Sequence, residues 1–519
     1  GDGQCAPLNI WNGRPGITQD ALDFVTTTTV NELVLDQFVV SAILAGDSAD
    51  WFELPAGPIA FAGGLEYRDE SSDFKWTPLA QGIIPAGSPF PAGTNVSDVS
   101  ANTSLTWRPQ LSKQNETGSY DVTDIFVETS IPLLADMTMA RELTVDLAAR
   151  LSDYSTIGQT TTWKANLIWA PIDSLALRAT FSEAVRAPNI TELFGPEIGL
   201  NFRPDDPCDV AQINAIAQDN PTLAQQTQAN CVAEFQSLGI PTDVYQDGTG
   251  AYIFVDPLSA SFGGVTGGNP NLQEETAETF TTGLVWQPEF VQGLSITLDY
   301  WDIAIEDAIE AVSSQNIVDG CYQQAVPNPA FCELSGRNDN PNSAQVGGFN
   351  FLRQTTLNFA KVETSGYDFS VSYAFDLGAH GFDVTAQGTK VDEINDFENP
   401  LDPTFKNPEL VEINRPELAG NVFLNWNWGD LRVGWQSQFI DEMLYGGIEV
   451  ETAETLYGSS VFRDAMWMHD INASYLINDG LMVYGGIKNV TEEVPYITEL
   501  AFPASPRGRF FFVGVDWSM

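Results

Sequence analysis

The chain has 519 residues, and its 70 acidic residues against 22 lysines and arginines give a formal net charge of −48. Phosphate binding needs a basic surface, so this charge argues against nucleic acid as a partner. No run of about eighteen apolar residues occurs, and the sequence therefore predicts no membrane-spanning helix. The length allows several domains or one large β-barrel, and the 43 glycines and 11% aromatic residues favour the barrel.

Several stretches of the sequence alternate apolar and polar residues. In RELTVDLAARLSDY (141–154), one face carries the apolar residues Leu143, Val145, Leu147, Ala149 and Leu151. The same period of two recurs in 293–301, 420–429, 431–439 and 509–519. This alternation is typical of strands with one apolar face. A soluble sandwich would not easily repeat it so often.

The links between these strands alternate between long and short. That asymmetry is typical of outer-membrane barrels, which have tight periplasmic turns and large extracellular loops. The pattern predicts an all-β, transmembrane antiparallel β-barrel with about fifteen strands in this chain. Tryptophans near strand ends fit the aromatic girdle at a membrane interface, namely Trp169, Trp286, Trp428 and Trp517.

The number of strands also bears on domain organisation. With the last strand ending at the periplasm, the first strand, near residues 30–44, runs inwards from the outside. Single-chain bacterial barrels have even strand numbers. We therefore expect residues 1–519 to form the C-terminal portion of a larger barrel, with its first strands on polypeptide outside this chain.

Five cysteines occupy positions 5, 208, 231, 321 and 332. Two close pairs in loop-like stretches predict disulfides Cys208–Cys231 and Cys321–Cys332, formed in an oxidising compartment. The alternative is free thiols in a cytosolic protein; metal-type CxxC spacing is absent from the sequence. Cys5 is left over, either unpaired or paired with a cysteine on another polypeptide.

The acidic composition is typical of a solvated surface in salt-rich surroundings. A sharper alternative is calcium bound by acidic loops, for which DEINDFENPLDPTF (392–405) is the best candidate although it lacks regular ligand spacing. We expect no other cofactor and no catalysis. The two histidines, His380 in a predicted turn and His469 beside a strand, belong to no recognisable triad or metal cluster.

The stretch FSEAVRAPNITELFGP (181–196) begins as a strand and ends as a rigid corner, since Pro188 cannot donate to the ladder. It resembles a signature of the barrels of TonB-dependent outer-membrane receptors. The matching residues are Phe181, Ser182, Arg186, Ala187, Pro188, Glu192, Leu193 and Phe194.

Further stretches resemble the same family in the same order. GNPNLQEETAETFTTGLVW (268–286) carries the second motif, with Asn269, Pro270, Asn271, Leu272, Glu274, Glu275 and Gly283. Residues 295–310, 358–375, 484–496 and 509–519 resemble later strands and the closing hairpin, and residues 5–25 resemble a mid-barrel loop. The resemblance covers nearly the whole chain.

The resemblance implies a barrel of about 22 strands, with a plug domain and first strands that this chain lacks. It also implies active import of a scarce ligand across the outer membrane of a Gram-negative bacterium. The implied partners are outer-membrane lipid or lipopolysaccharide, the plug-containing portion of the same receptor (through Cys5 if that cysteine pairs), the TonB complex and a small-molecule or glycan ligand.

Fold does not specify cargo, and siderophore, vitamin, haem and oligosaccharide receptors share this architecture. Four aromatic residues in predicted loops are candidates for stacking on a ligand: Trp76, Tyr245, Tyr252 and Tyr445. Two alternative functions remain. A passive porin explains the strands and loops but not the ordered motifs, and a structural component of an outer-membrane assembly would use the long loops as its interaction surface.

Overall fold

The computed structural model describes residues 17–25, 30–77, 115–324, 326–444, 446, 449–494 and 507–518. Its strands are β1 (Glu32–Asp47), β2 (Ala60–Lys75), β3 (Glu116–Met137), β4 (Ala140–Tyr154), β5 (Gly158–Ile172), β6 (Leu175–Arg186), β7 (Ile198–Phe202), β8 (Phe262–Thr266), β9 (Glu275–Trp286), β10 (Leu294–Ala311), β11 (Ser335–Arg337), β12 (Phe349–Gln354), β13 (Thr356–Leu377), β14 (His380–Phe397), β15 (Asn407–Pro408), β16 (Leu418–Trp428), β17 (Leu431–Ile440), β18 (Met443–Leu444), β19 (Phe462–Arg463), β20 (Met466–Asn478), β21 (Leu481–Lys488) and β22 (Phe510–Trp517). Its helices are α1 (Gln19–Val25), α2 (Ile190–Phe194), α3 (Val210–Asp219), α4 (Pro221–Ser237), α5 (Thr242–Tyr245), α6 (Ser314–Tyr322), α7 (Pro329–Cys332) and α8 (Val450–Tyr457), followed by a 3₁₀ turn at Gly458–Val461.

One 16-stranded sheet dominates the molecule. Fifteen of its strands form a single path, β1-β2-β3-β4-β5-β6-β9-β10-β13-β14-β16-β17-β20-β21-β22, and the two-residue β15 pairs with β14 beside that path. Neighbours in the path pair antiparallel, as in a chain of hairpins whose longer connections carry extra structure. The predicted all-β antiparallel barrel fold and strand count are confirmed. No helix in the described part of the chain has the length and apolar character needed to cross a membrane.

The sheet has one apolar and one polar face. In β3 to β5, the cross-strand neighbours Ile125, Leu151 and Thr161 share one face, while Asp124, Ser152 and Thr160 share the other. Ile125 is 54% and Leu151 43% exposed, whereas Asp124 is buried. Since side chains alternate along each strand and the register aligns them between strands, the period of two in the sequence becomes two continuous surfaces. We call them the apolar face and the polar face.

The two ends of the strands differ in their connections. Turns at 138–139, 173–174, 378–379, 429–430 and 479–480 define the short-turn end. Long connections at 187–274, 312–355 and 441–465 lie at the opposite, long-loop end, where the hairpin at 155–157 is an exception. The predicted alternation of connection length is therefore present.

Aromatic residues gather at the short-turn end. The strands β9, β16 and β22 end at Trp286, Trp428 and Trp517. His380 stacks with Trp426 and Trp428, with ring centroids 5.8 and 5.6 Å apart. The sequence placed His380 in a turn, and this was wrong: it is the first residue of β14, because the turn takes only 378–379.

An ion pair crosses the strand β9 on the polar face. Arg178 of β6 donates Nε to Asp299 Oδ1 of β10 at 2.7 Å and Nη2 to Oδ2 at 2.6 Å. Gly283 of β9 lies between the two strands, paired with both residues. A Cβ on Gly283 would come within 2.0 Å of Asp299 Oδ1, so the bidentate contact depends on this glycine.

The main hydrophobic core lies outside the large sheet, in the long connections. Residues 198–266 and 312–354, which we call the loop subdomain, fold β7, β8, β11 and β12 into a small sheet with α3, α4, α6 and α7 around it. Their buried side chains form one cluster: Phe202, Cys208, Cys231, Phe235, Ile240, Tyr245, Phe254, Val312, Ile317, Val318, Cys321, Tyr322, Phe331, Phe349 and Leu352.

Candidate functional site

The first family-like motif forms a corner at the long-loop end of β6. The last residue of the strand, Arg186, is followed by the buried Pro188. Asn189 then caps α2: its Oδ1 accepts from the backbone N–H groups of Thr191 and Glu192 at 2.9 Å, and Glu192 Oε2 accepts from Asn189 N–H at 2.8 Å. This reciprocal arrangement is a capping box, which explains the Asn-x-x-Glu spacing in the sequence.

Arg186 joins this corner to the next barrel strand. Its Nε and Nη2 donate to Glu275 at 2.6 Å, and its Nη1 donates to Glu192 at 3.0 and 3.1 Å. Charge-assisted, bidentate contacts of this kind are stronger than neutral hydrogen bonds. Arg186 therefore connects both motifs, because Glu275 belongs to the second.

The remaining motif residues pack the corner or flank it. Leu193 and Leu272, each 1% exposed, meet Tyr120 and Ile309 in a small core. Asn269 donates from its side chain to Thr356 O at 3.0 Å.

The other motif residues occupy varied surroundings. Phe194 covers Gly118. On the apolar face, the ring of Phe181 lies 5.4 Å from that of Trp163, measured between centroids. On the polar face, Ser182 pairs with Lys164. Of the rest, Ala187 is partly buried beside Pro188, Pro270 and Asn271 are exposed, and Glu274 lies just before β9. Most of the motif is a structural corner.

Two disulfides stabilise the loop subdomain. Cys208 is joined to Cys231 and Cys321 to Cys332, the same pairs that the sequence predicts. Cys208 and Cys231 are fully buried in the core. Cys5 lies outside the described residues.

A buried arginine is the electrostatic centre of the loop subdomain. Arg337 donates Nη1 and Nη2 to Asp206 at 2.6 and 2.8 Å and Nε to Glu234 Oε2 at 3.0 Å. The guanidinium carbon also lies 3.9 Å from the centroid of the Phe349 ring. The buried guanidinium of Arg337 is tolerated because its hydrogen bonds and the opposite charges of its partners compensate for the hydration that it loses on burial.

The pKa values of Arg337 and Tyr322 are both raised above their ordinary values. Burial alone lowers the pKa of Arg337, but the Asp206 carboxylate beside it holds that pKa well above its ordinary value. Burial raises the pKa of the Tyr322 phenol, so that it stays neutral and donates a hydrogen bond to Glu234. The cluster therefore consists of one cation, two carboxylates and a neutral phenol.

Asp319 of α6 is the one carboxylate of this helix and is partly buried. Gln315 and Gln323, one turn before and after it, donate their side-chain amides to it at 3.1 and 2.6 Å. Burial nevertheless raises the pKa of Asp319 to about 6, and the nearby Asp205 and Asp206 add to the rise. It is a group that titrates near neutral pH at the edge of the subdomain.

The three candidate stacking aromatics that the structure describes do not form a common site. Tyr245 is 3% exposed in the subdomain core, and Tyr252 donates its hydroxyl to Cys208 O at 2.7 Å. The expectation of exposed loop aromatics was wrong for these two, since both pack within the subdomain. Trp76 packs edge-on against Phe74 at 5.1 Å, and Tyr445 lies outside the described residues.

Acidic residues that could hold a cation gather beside the predicted segment. Glu409, Glu412 and Glu449 present carboxylate oxygens within 4.8 Å of one another, and Arg415 pairs with Glu409. Within 392–405 itself, Asp392 accepts from Lys390 Nζ at 2.6 Å. Calcium binding stays a prediction.

The second histidine also stacks on tryptophans. The sequence predicted His469 beside a strand, and the structure places it within β20. Its ring lies 5.7 Å from that of Trp435 and 6.3 Å from that of Trp467, measured between ring centroids. Like His380, it belongs to an aromatic cluster of the barrel wall.

A family model described as "TonB dependent receptor-like, beta-barrel" matches residues 9–490. A search of curated proteins gave no match.

Solved structures share the fold at low sequence identity. The siderophore receptor PirA from Acinetobacter baumannii is 15% identical with a TM-score of 0.54, over 94% of this chain and 55% of that one. A variant of the ferric enterobactin receptor PfeA from Pseudomonas aeruginosa, in complex with enterobactin, is 13% identical with a TM-score of 0.55, over 93% of this chain and 54% of that one. The chain thus spans just over half the length of these receptors, and at this identity the likeness concerns the fold alone.

Proposed function

This chain belongs to the TonB-dependent receptor β-barrel family, and we propose that it forms the barrel wall and extracellular loops of a receptor that imports a scarce ligand across the outer membrane of a Gram-negative bacterium. The family consists of receptors and transporters rather than enzymes. In this proposal, energy for import comes from the inner membrane through the TonB complex.

The family match over residues 9–490 carries the proposal. The two faces of the sheet support it, because the apolar face suits lipid and the polar face suits a lumen through which a hydrated ligand passes. The loop subdomain supports it too: an oxidised, separately cored structure at the long-loop end is suited to the cell exterior. In this arrangement the short turns face the periplasm.

The ligand is a siderophore, a vitamin or an oligosaccharide, with siderophores the first class to test because the similar solved structures are siderophore receptors. The plug and the first strands belong to the N-terminal portion of the same receptor. Outer-membrane lipid surrounds the apolar face.

The test is uptake of radioactive iron as ferric enterobactin by cells that lack their own siderophore receptors and express the complete receptor. We expect saturable uptake that disappears when TonB is deleted or the proton gradient is collapsed. Non-saturable uptake that persists without TonB would show a passive porin instead. A matched strain carrying the empty vector gives the background.

Ferric enterobactin is one of several ligand classes. The same strains are therefore tested with cobalamin and with a maltooligosaccharide mixture. Absence of TonB-dependent uptake for all three classes would contradict the proposal and favour a structural role in an outer-membrane assembly.

A further inference from the structure

A cavity of about 540 Å³ opens on the polar face of β3, β4, β5 and β6. Its lining includes Phe126, Glu128, Arg150, Thr162, Lys164 and Ser182. The volume lies within the range of small-molecule sites, which is about 300–1,000 Å³. The lining combines two cations and two carboxylates, Glu128 and Glu183, with hydroxyl groups and aromatic rings. Glu183 accepts a hydrogen bond from Trp163 Nε1 at 3.2 Å. Equal numbers of cations and carboxylates are unusual in a chain with a net charge of −48.

Arg150 is held in place by stacking. Its guanidinium carbon lies 5.3 Å from the centroid of the Phe126 ring. The other neighbour of that ring is Gly64 of β2, where a Cβ would come within 2.7 Å of Phe126 Cζ. The glycine therefore lets the ring lie flat against the sheet and serve as a platform for the arginine.

The hydrogen bonds of Arg150 are incomplete. Its Nε is buried without a hydrogen-bond acceptor in the described structure. Asp124 Oδ1, which accepts from the Ser152 hydroxyl, lies 3.6 Å from that Nε, so Asp124 forms an ion pair with Arg150 at a distance too long for a good hydrogen bond. The Arg150 side chain as a whole is 42% exposed, so the guanidinium also has N–H donors, besides the buried Nε, that an oxyanion in the cavity can reach.

Lys164 supplies the second positive charge. It lies next to Ser182 and is separated from Glu128 by Ala148, which pairs with both. Among the described residues, no carboxylate oxygen lies within the 4.0 Å that would make an ion pair with its Nζ. Thr162, paired with Arg150, adds a hydroxyl between the two cations.

We propose that this cavity binds the oxyanion of a small molecule, a carboxylate or a phosphate, through the Arg150 guanidinium, the Lys164 ammonium and the hydroxyls of Thr162 and Ser182. This site rests on the proposed function, and it implies that the imported ligand carries an anionic group. Arginine and lysine are the side chains that bind carboxylate and phosphate by charge-assisted hydrogen bonds. Glu128 opposes binding by repulsion.

The experiment measures binding of citrate and inorganic phosphate to the purified receptor in detergent by isothermal titration calorimetry at low salt. We expect Arg150→Gln and Lys164→Gln each to weaken binding by about 10-fold or more, as loss of a charge-assisted hydrogen bond implies. Glu128→Gln should strengthen binding a few-fold, because it removes the repulsion.

The matched control is Arg141→Gln, on the same strand. Arg141 already pairs with Asp136 and Asp173 at the short-turn end, so its loss should leave citrate binding unchanged. Each variant is checked for the gel mobility of the folded barrel. If one cation variant does not fold, the other and Glu128→Gln still decide the result, since misfolding cannot strengthen binding.

Absence of binding by both probes, or equal affinities in the receptor and all three cavity variants, would overturn the inference. Its failure differs from failure of the proposed function, because calorimetry needs neither TonB nor uptake. Uptake without oxyanion binding would reject only this site. Oxyanion binding without uptake of any tested ligand would reject only the import function.

Discussion

Arg337 shows how one buried charge holds two distant loops together. Asp206 and Glu234, its carboxylate partners, lie 131 and 103 residues earlier in the chain. Two strands of the large sheet, β9 and β10, lie between these two loops in the sequence. The ion pairs therefore join the connection β6–β9 to the connection β10–β13.

Replacing Arg337 with methionine should destabilise the loop subdomain by about 3–5 kcal/mol, because Asp206 would remain as an uncompensated buried charge. Amide hydrogen exchange of α4 and α6 measures the effect. The double variant Arg337→Met with Asp206→Asn should recover part of the loss. An equal loss in single and double variants would show that packing on Phe349, rather than charge, is what Arg337 provides.

Asp319 should make the subdomain sensitive to pH. Its pKa in the folded state, about 6, exceeds the ordinary 3.8, so between these values the folded state binds a proton that the unfolded state does not. Stability from this group is therefore full below about pH 4 and is lost as pH rises to about 6, with a slope of up to about 1.4 kcal/mol per pH unit.

The variant Asp319→Asn should remove that dependence. We expect slower amide exchange in α6 than in the unsubstituted protein at pH 7 and no difference at pH 4, after correction for intrinsic exchange rates. Asp243→Asn, on the separate helix α5, serves as the control. A variant that is less stable at pH 7 would contradict the assignment.

Residues whose partners lie nearby in the sequence could be predicted, whereas residues whose partners are distant in the sequence could not. Arg186 and Glu192 could be singled out because they belong to one short stretch, 181–196, that resembles a family signature. Arg337 could not, since a single arginine in a stretch rich in glycine and asparagine carries no sign of partners more than a hundred residues away. Burial of Tyr245 and Tyr252 was missed for the same reason: it arises from tertiary packing of the loops.

The loop subdomain is the element whose stability depends on cross-links. Cys208–Cys231 closes a segment of 23 residues and Cys321–Cys332 one of 11. Cross-links stabilise chiefly by restricting the unfolded chain, and loops of this size gain about 3 kcal/mol.

Replacing Cys208 and Cys231 together by serine should speed amide exchange throughout α3 and α4 while leaving the barrel intact. Resistance of the unheated protein to unfolding in SDS measures the barrel. The control is Cys321→Ser with Cys332→Ser, which should act mainly on α6 and α7. Loss of the barrel in either double variant would show that the subdomain is required for the sheet to form.

Strands were predictable because their signal is local and repeated: period-two alternation, turn residues and connection lengths. The helices of the loop subdomain were missed, although α3 and α4 carry recognisable starts at Asp209 and at Asn220 before Pro221. The segments that contain α3 and α4 were interpreted only as connections between strands, so their helix-start patterns were not recognised. The cavity was also missed, because residues of four strands come together only through the register of the sheet.

For the whole molecule, charge is the dominant electrostatic feature. With 70 acidic and 22 basic residues, repulsion between carboxylates opposes the compact state, and salt screens it. Raising the ionic strength from roughly 0.01 to 1 M shortens the screening length from about 30 to about 3 Å.

We therefore expect the thermal unfolding midpoint in detergent to rise by several degrees when sodium chloride increases over that range. Differential scanning calorimetry gives the midpoint, and glucose at equal osmolality separates screening from a general solute effect. A midpoint that falls with salt would mean that ion pairs such as Arg186–Glu275 outweigh the long-range repulsion.

The contact between Arg178 and Asp299 across Gly283 has a consequence for how the sheet is assembled. If β9 slipped by two residues, Thr281 or Val285 would take the place of Gly283, and their side chains would occupy the path of the ion pair. A slip of one residue would turn the apolar side chains of β9 towards the lumen. Arg178, Gly283 and Asp299, on three neighbouring strands, therefore disfavour misaligned pairings of β9. The sheet thus contains a local feature that selects the correct strand register during assembly.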